Sequence, residues 1–89
     1  MARIEIYTKD YCPYCKSAKA LLERYGVAFT EYDVTHDPDK ADEMIRRSGG
    51  ALTVPQIFID GRLVGGSDDL HALHGAGDLA RLLDSLVDA

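Results

Sequence analysis

Cys12-Pro13-Tyr14-Cys15 holds both cysteines of this 89-residue chain, three positions apart, where an apolar strand gives way to an amphipathic helix. A disulfide across so short a loop adds little stability, because the entropic effect of a cross-link grows with the logarithm of the loop it closes. The pair is therefore read as reversible thiol-disulfide chemistry. The segment after Cys15 places apolar residues at Ala18, Leu21, Leu22 and Tyr25, the stripe of a buried helical face, and extending that stripe back by three reaches Cys15. Pro13 suits the first helical position, where its missing N–H is no loss, so Cys12 falls at the N-cap with its sulfur near unpaired backbone N–H groups. Cys12 is thus expected to be exposed and nucleophilic, and Cys15 to be the partly shielded resolving thiol. The positive end of the helix, with Lys9, Lys16 and Lys19 nearby, is expected to favour a Cys12 thiolate. Comparable sites lower a cysteine pKa from about 8.5 to roughly 3.5 to 7.5. Zinc is the other use of C-x-x-C, but no second such pair exists and His36, His71 and His74 lack zinc-finger spacing, so no metal is expected.

Several elements must position this turn. Ile4 to Thr8, rich in β-branched and aromatic residues, predicts strand one, and Gly26 stops the helix that follows the cysteines. Ala28 to Val34 predicts a second strand. Asp37 and Pro38 form an N-cap and first-turn pair for a helix carrying Ala41, Met44, Ile45 and Ser48, which ends at Gly49-Gly50. A strand, helix, strand order implies a parallel pair joined by a right-handed crossover. Gln56 to Ile59, the Asp60-Gly61 turn signal and Arg62 to Gly65 then predict an antiparallel hairpin. Ser67 and Asp68 can cap a third helix containing Leu70 and Leu73, broken at Gly75-Ala76-Gly77, and Asp78 can cap a last one whose Leu79, Leu82, Leu83 and Leu86 face the core. The order βαβαββα, with the final helix split, predicts an α/β fold: a four-stranded mixed sheet flanked by helices in one domain spanning residues 1–89.

Composition excludes several roles. A net charge of −5 argues against non-specific nucleic-acid binding. No run approaches membrane-spanning length, and Met1-Ala2-Arg3 leads straight into strand one without the pattern of a signal peptide, so a reducing cytoplasm is the expected compartment.

Two further stretches bear on what the sulfur meets. Thr53-Val54-Pro55 heads the hairpin, and a cis Val54-Pro55 bond would turn the N–H and C=O of Val54 outward to pair with an extended peptide. Only about 5 to 6% of such bonds are cis in folded proteins, so the residues alone favour a trans proline that starts a strand. In Gly65-Gly66-Ser67-Asp68-Asp69 the backbone N–H groups of a helix start can bind a carboxylate while Asp68 pairs with an ammonium, which suits an α-amino acid end. A glycine turn with a capping aspartate is the commoner use of such a stretch.

Tyr7-Thr8-Lys9 leading into Cys12-Pro13-Tyr14-Cys15, then Thr53-Val54-Pro55, then Gly65-Gly66-Ser67-Asp68-Asp69 together resemble the glutaredoxin family, most nearly its small bacterial dithiol members, over nearly the whole chain. The resemblance implies a thioredoxin fold, a cis Val54-Pro55 bond and a groove for glutathione as co-substrate and reductant. It also implies that Cys12 attacks first, with Cys15 resolving. Glutathione contacts fall at Lys9, Tyr14, Thr53, Val54, Pro55, Gly66, Ser67 and Asp68, with Arg47 a further candidate for the glycine carboxylate. The implied activity is glutathione-dependent reduction of protein-glutathione mixed disulfides and protein disulfides by a monomer. The alternatives are a small redoxin fed by thioredoxin reductase that donates electrons to ribonucleotide reductase, which Thr53-Val54-Pro55 and Gly66-Ser67-Asp68 disfavour, and a glutathione-bridged dimer carrying a [2Fe-2S] cluster, which Pro13 disfavours. Two positions depart from the pattern. Ser67 stands where several relatives carry another cysteine, and Tyr11 where a small hydroxyl residue is common.

Overall fold

The computed structural model describes residues 3–87, with side chains through residue 83. Four strands, β1 (Ile4–Thr8), β2 (Thr30–Asp33), β3 (Gln56–Ile59) and β4 (Arg62–Gly65), form one sheet in the order β2-β1-β3-β4. β1 pairs parallel with β2 and antiparallel with β3, and β3 pairs antiparallel with β4. Helices α1 (Pro13–Arg24), α2 (Pro38–Arg47), α3 (Ser67–Gly75) and α4 (Asp78–Val87) complete the order expected of the thioredoxin fold. Among the described residues no helix is long and apolar enough to cross a membrane.

All five residues of β1 are buried, which explains its lack of a polar-apolar alternation. Its two faces serve different layers. Ile4 and Ile6 join Ile57 and Ile59 of β3 beneath α1, α3 and α4, where Ala18, Leu21, Leu22, Leu70, Leu79 and Leu83 close the larger core. Each fully buried leucine contributes roughly 1.5 to 3 kcal/mol, enough to seat the short α3 on the sheet. On the opposite face Tyr7 and Phe58 pack with Val34 of the loop after β2 and Met44 of α2.

Three expectations are corrected. β2 is shorter than Ala28 to Val34: it is confined to Thr30–Asp33, the four residues that lie opposite Glu5 to Thr8 of β1. The cap of α3 is Gly66, not Ser67 or Asp68: Ser67 opens the helix, and the carboxylate that accepts the Gly66 N–H is Asp69, at 3.0 Å. In α4, Leu79 and Leu83 are buried but Leu82 is 39% exposed, since a step of three residues stops short of a full helical turn. The side chain of Leu86 lies outside the described residues. The hairpin turn is as expected, with Asp60 and Gly61 at φ +51° and +79°, the left-handed pair that a two-residue turn of primed type requires.

Candidate active site

β1 delivers the chain to Cys12, and α1 begins immediately after it with Pro13 at its first turn. Cys12 is the N-cap, in extended conformation, and the Cys15 backbone N–H donates to its sulfur at 3.2 Å. Both cysteines are free; Cys12 is half-buried and Cys15 only 2% exposed. The asymmetry expected from helix phase is therefore present. Burial pushes the Cys15 thiol up to about 12, and its hydrogen bond with Cys12 pushes the same way, while a backbone hydrogen bond from Lys9 opposes both. At neutral pH Cys15 is a thiol.

The loop before Cys12 is tied to the turn after β2. The Asp10 N–H donates to Thr35 Oγ1 at 3.0 Å, and the Asp10 carboxylate lies 3.6 Å from Nε2 of His36. Asp33 holds that turn in place, accepting from the Thr35 N–H and meeting His36 Nδ1, each at 2.7 Å. The Asp33 carboxylate raises the His36 pKa, and the imidazole in turn lowers that of Asp33.

Antiparallel pairing of Tyr7 with Gln56 brings the far segment to the same end of the sheet. The Val54-Pro55 bond is cis, and the Cys12 thiol faces the Val54 carbonyl, Sγ to O at 3.9 Å. Beside it runs a groove of about 290 Å³, where Tyr14, Thr53, Val54, Pro55, Gly66, Ser67 and Asp68 come together. Gln56 also lines it and donates through Nε2 to the Thr53 carbonyl at 3.1 Å, bracing the loop. Asp69 fixes the start of α3, which leaves the exposed Asp68 carboxylate without a partner among the described residues. Neither Gln56 nor Asp69 was singled out from the sequence as a site residue, although the three-residue step from Gly66 to Asp69 is a capping spacing.

Lys9 lies on the other side of the sulfur, in a recess of about 210 Å³ shared with Tyr11, Cys12, Cys15 and Lys16. Beneath it Glu31 accepts from Thr8 Oγ1 at 2.6 Å and pairs with Lys19 at 3.0 Å, so Lys19, which also lines the recess, shares its charge with Glu31. Arg47 lies apart from the groove. Its guanidinium grips the buried Glu5 at 2.9 and 3.1 Å, donates to the Tyr7 hydroxyl at 2.6 Å and lies 4.1 Å from the Phe58 ring centre. The expectation that Arg47 meets the glycine carboxylate does not fit this geometry, because Arg47 is absent from the groove lining and three of its five N–H donors are spent on Glu5 and Tyr7.

Comparison with known proteins places this arrangement among close counterparts. Residues 4–64 match the family model described as Glutaredoxin. The chain is 55% identical over 83 residues to Glutaredoxin 3 of Escherichia coli strain K12, covering 93% of this chain and 99% of that protein. The solution structure of a glutaredoxin from Brucella melitensis superposes with a TM-score of 0.79 at 51% identity, covering 93% of this chain and 89% of that one. The crystal structure of a buckwheat glutaredoxin-glutathione complex gives a TM-score of 0.84 at 26% identity, over 94% of this chain and 78% of that one.

Proposed function

The chain belongs to the glutaredoxin family of thiol-disulfide oxidoreductases, and from that premise we propose that it uses glutathione to reduce protein-glutathione mixed disulfides and protein disulfides through Cys12 and Cys15. The observation that carries this reading is the placement of the Cys12 sulfur against the Val54 carbonyl, at the mouth of a groove that ends at the start of α3. A buckwheat relative of the same fold was crystallised with glutathione. Glutathione has an α-amino acid at one end and a carboxylate at the other. The amides at the start of α3 and the free Asp68 suit the first end, Lys9 suits the second, and the Val54 backbone can pair with the cysteinyl unit between them.

In the proposed cycle the Cys12 thiolate attacks the glutathione sulfur of a mixed disulfide. A Cys12–S–S–glutathione bond forms, the original disulfide breaks and the protein leaves as a thiolate. A second glutathione thiolate attacks the glutathione sulfur, releasing oxidised glutathione and restoring Cys12. For a protein disulfide, Cys12 first bonds to the substrate sulfur and Cys15 then displaces the substrate, leaving an intramolecular disulfide. Once Cys12 is in a mixed disulfide its free thiol no longer bonds to Cys15, which removes one of the influences that raise the Cys15 pKa. Two free cysteines that must cycle suit a reducing cytoplasm.

The test compares Cys12→Ser with Cys15→Ser in glutathione-coupled turnover of a glutathionylated peptide. Turnover should vanish in the first and be largely kept in the second. Equal loss in both would refute the single-thiol route.

A further inference from the structure

Tyr11 combines two unfavourable features. Its φ is +56°, a left-handed backbone that a bulky L-residue adopts only under constraint, and it is 97% exposed, the most exposed of the large apolar side chains among the described residues. No hydrogen bond or ring contact holds its side chain among those residues. The backbone is nevertheless held on both sides. Asp10 is tied to Thr35 and His36, and Cys12 is fixed as the cap of α1. A strained, exposed aromatic residue that gains nothing inside its own chain points to a contact outside it.

Its position says which contact. Tyr14 faces the groove beside Thr53 and Pro55, whereas Tyr11 borders the separate recess with Lys9 and Lys16. Cys12 lies between the two. The Tyr11 ring is 97% exposed beside the sulfur, so it stays within reach of the polypeptide that carried the disulfide even when glutathione spans the groove and Lys9. We propose that Tyr11 is the docking residue for polypeptide substrates, packing its ring on an apolar side chain next to the target cysteine. It would select among protein substrates without entering the reaction with glutathione. This rests on the function proposed above.

The experiment uses three mixed disulfides with glutathione: one of mercaptoethanol, and two of synthetic peptides identical except for Phe or Gly after the cysteine. Wild-type kcat/KM should favour the Phe peptide by about five-fold, the effect of one aromatic pair. Tyr11→Thr should bring that ratio close to one, Tyr11→Phe should keep it, and turnover of the mercaptoethanol compound should be alike in all three proteins. Equal rates on both peptides in the wild type, or a preference that survives Tyr11→Thr, would overturn the docking role. So would a Tyr11→Thr protein that loses all three substrates equally, since Tyr11 would then act on the sulfur itself. A wild-type protein that turns over none of the three would instead overturn the glutathione-dependent function.

Discussion

Replacing Arg47 by alanine should destabilise the molecule more than any typical surface substitution. Glu5 sits in the central strand with its side chain 5% exposed, and Arg47 is 26% exposed. Removing one partner of a buried pair costs about 3 to 5 kcal/mol, because the other charge stays buried. Two features favour the low end. Water reaches the Arg47 side, and the Tyr32 hydroxyl still donates to Glu5 at 2.9 Å. The expected loss is therefore about 3 kcal/mol, including the guanidinium's contact with Phe58. For a domain of this size that is roughly 12 to 24 °C in Tm. Urea denaturation followed by far-ultraviolet circular dichroism measures it.

The pH dependence of that loss carries its own sign. In the native protein Arg47, foremost, holds the Glu5 carboxyl below its ordinary value of 4.5, and burial opposes it. The pair's stabilisation is present above that ordinary value and is lost as pH falls through the lowered one. The variant lacks the foremost influence that lowers the Glu5 pKa, so the gap between the two proteins should be full at neutral pH and shrink as pH falls below about 4.5, through the lowered native value. A gap under about 1 kcal/mol at neutral pH, or one constant with pH, would refute the reasoning.

Two further substitutions probe the groove. Gly65→Ala should cost about 2 to 3 kcal/mol in thermal unfolding, because Gly65 has φ +119° and a Cβ there would collide with the Asp69 carboxylate that caps α3; a loss below about 1 kcal/mol would count against that cap. Asp68→Ala should raise the KM for glutathione about five- to ten-fold with kcat little changed, the effect of losing one exposed charged contact. An unchanged KM would remove Asp68 from the site.

The local features of this fold were legible because short-range physics writes them into neighbouring residues. Helix phase put Cys15 inward and Cys12 at the cap, and Asp60-Gly61 named its own turn. Ends of elements were less legible. β2 is limited to the four residues paired with Glu5 to Thr8 of β1, a register that no residue in the Ala28 to Val34 stretch encodes. The capping of α3 went to Asp69 because Gly66, not Ser67, takes the extended conformation. Arg47 shows the same limit for the site. Its place near the end of α2 was visible, but its partner Glu5 is 42 positions away, on a strand with no local signal that links the two. Cys12 and Val54, equally far apart, were joined only by the resemblance of their motifs to a family.

The antiparallel register of β1 with β3 divides the molecule into a working end and an idle end. Tyr7 opposite Gln56 gathers the cysteines, the Val54 carbonyl and the start of α3 at one edge of the sheet. Ile4 opposite Ile59 sends the Asp60-Gly61 turn to the other, where Arg3 and Asp60 exchange backbone and side-chain hydrogen bonds at 2.8 and 3.0 Å. Sequence drift, insertions or fused partners at that far turn are separated from the sulfur by the length of the strands. The fold can therefore change what it is attached to while leaving its chemistry alone.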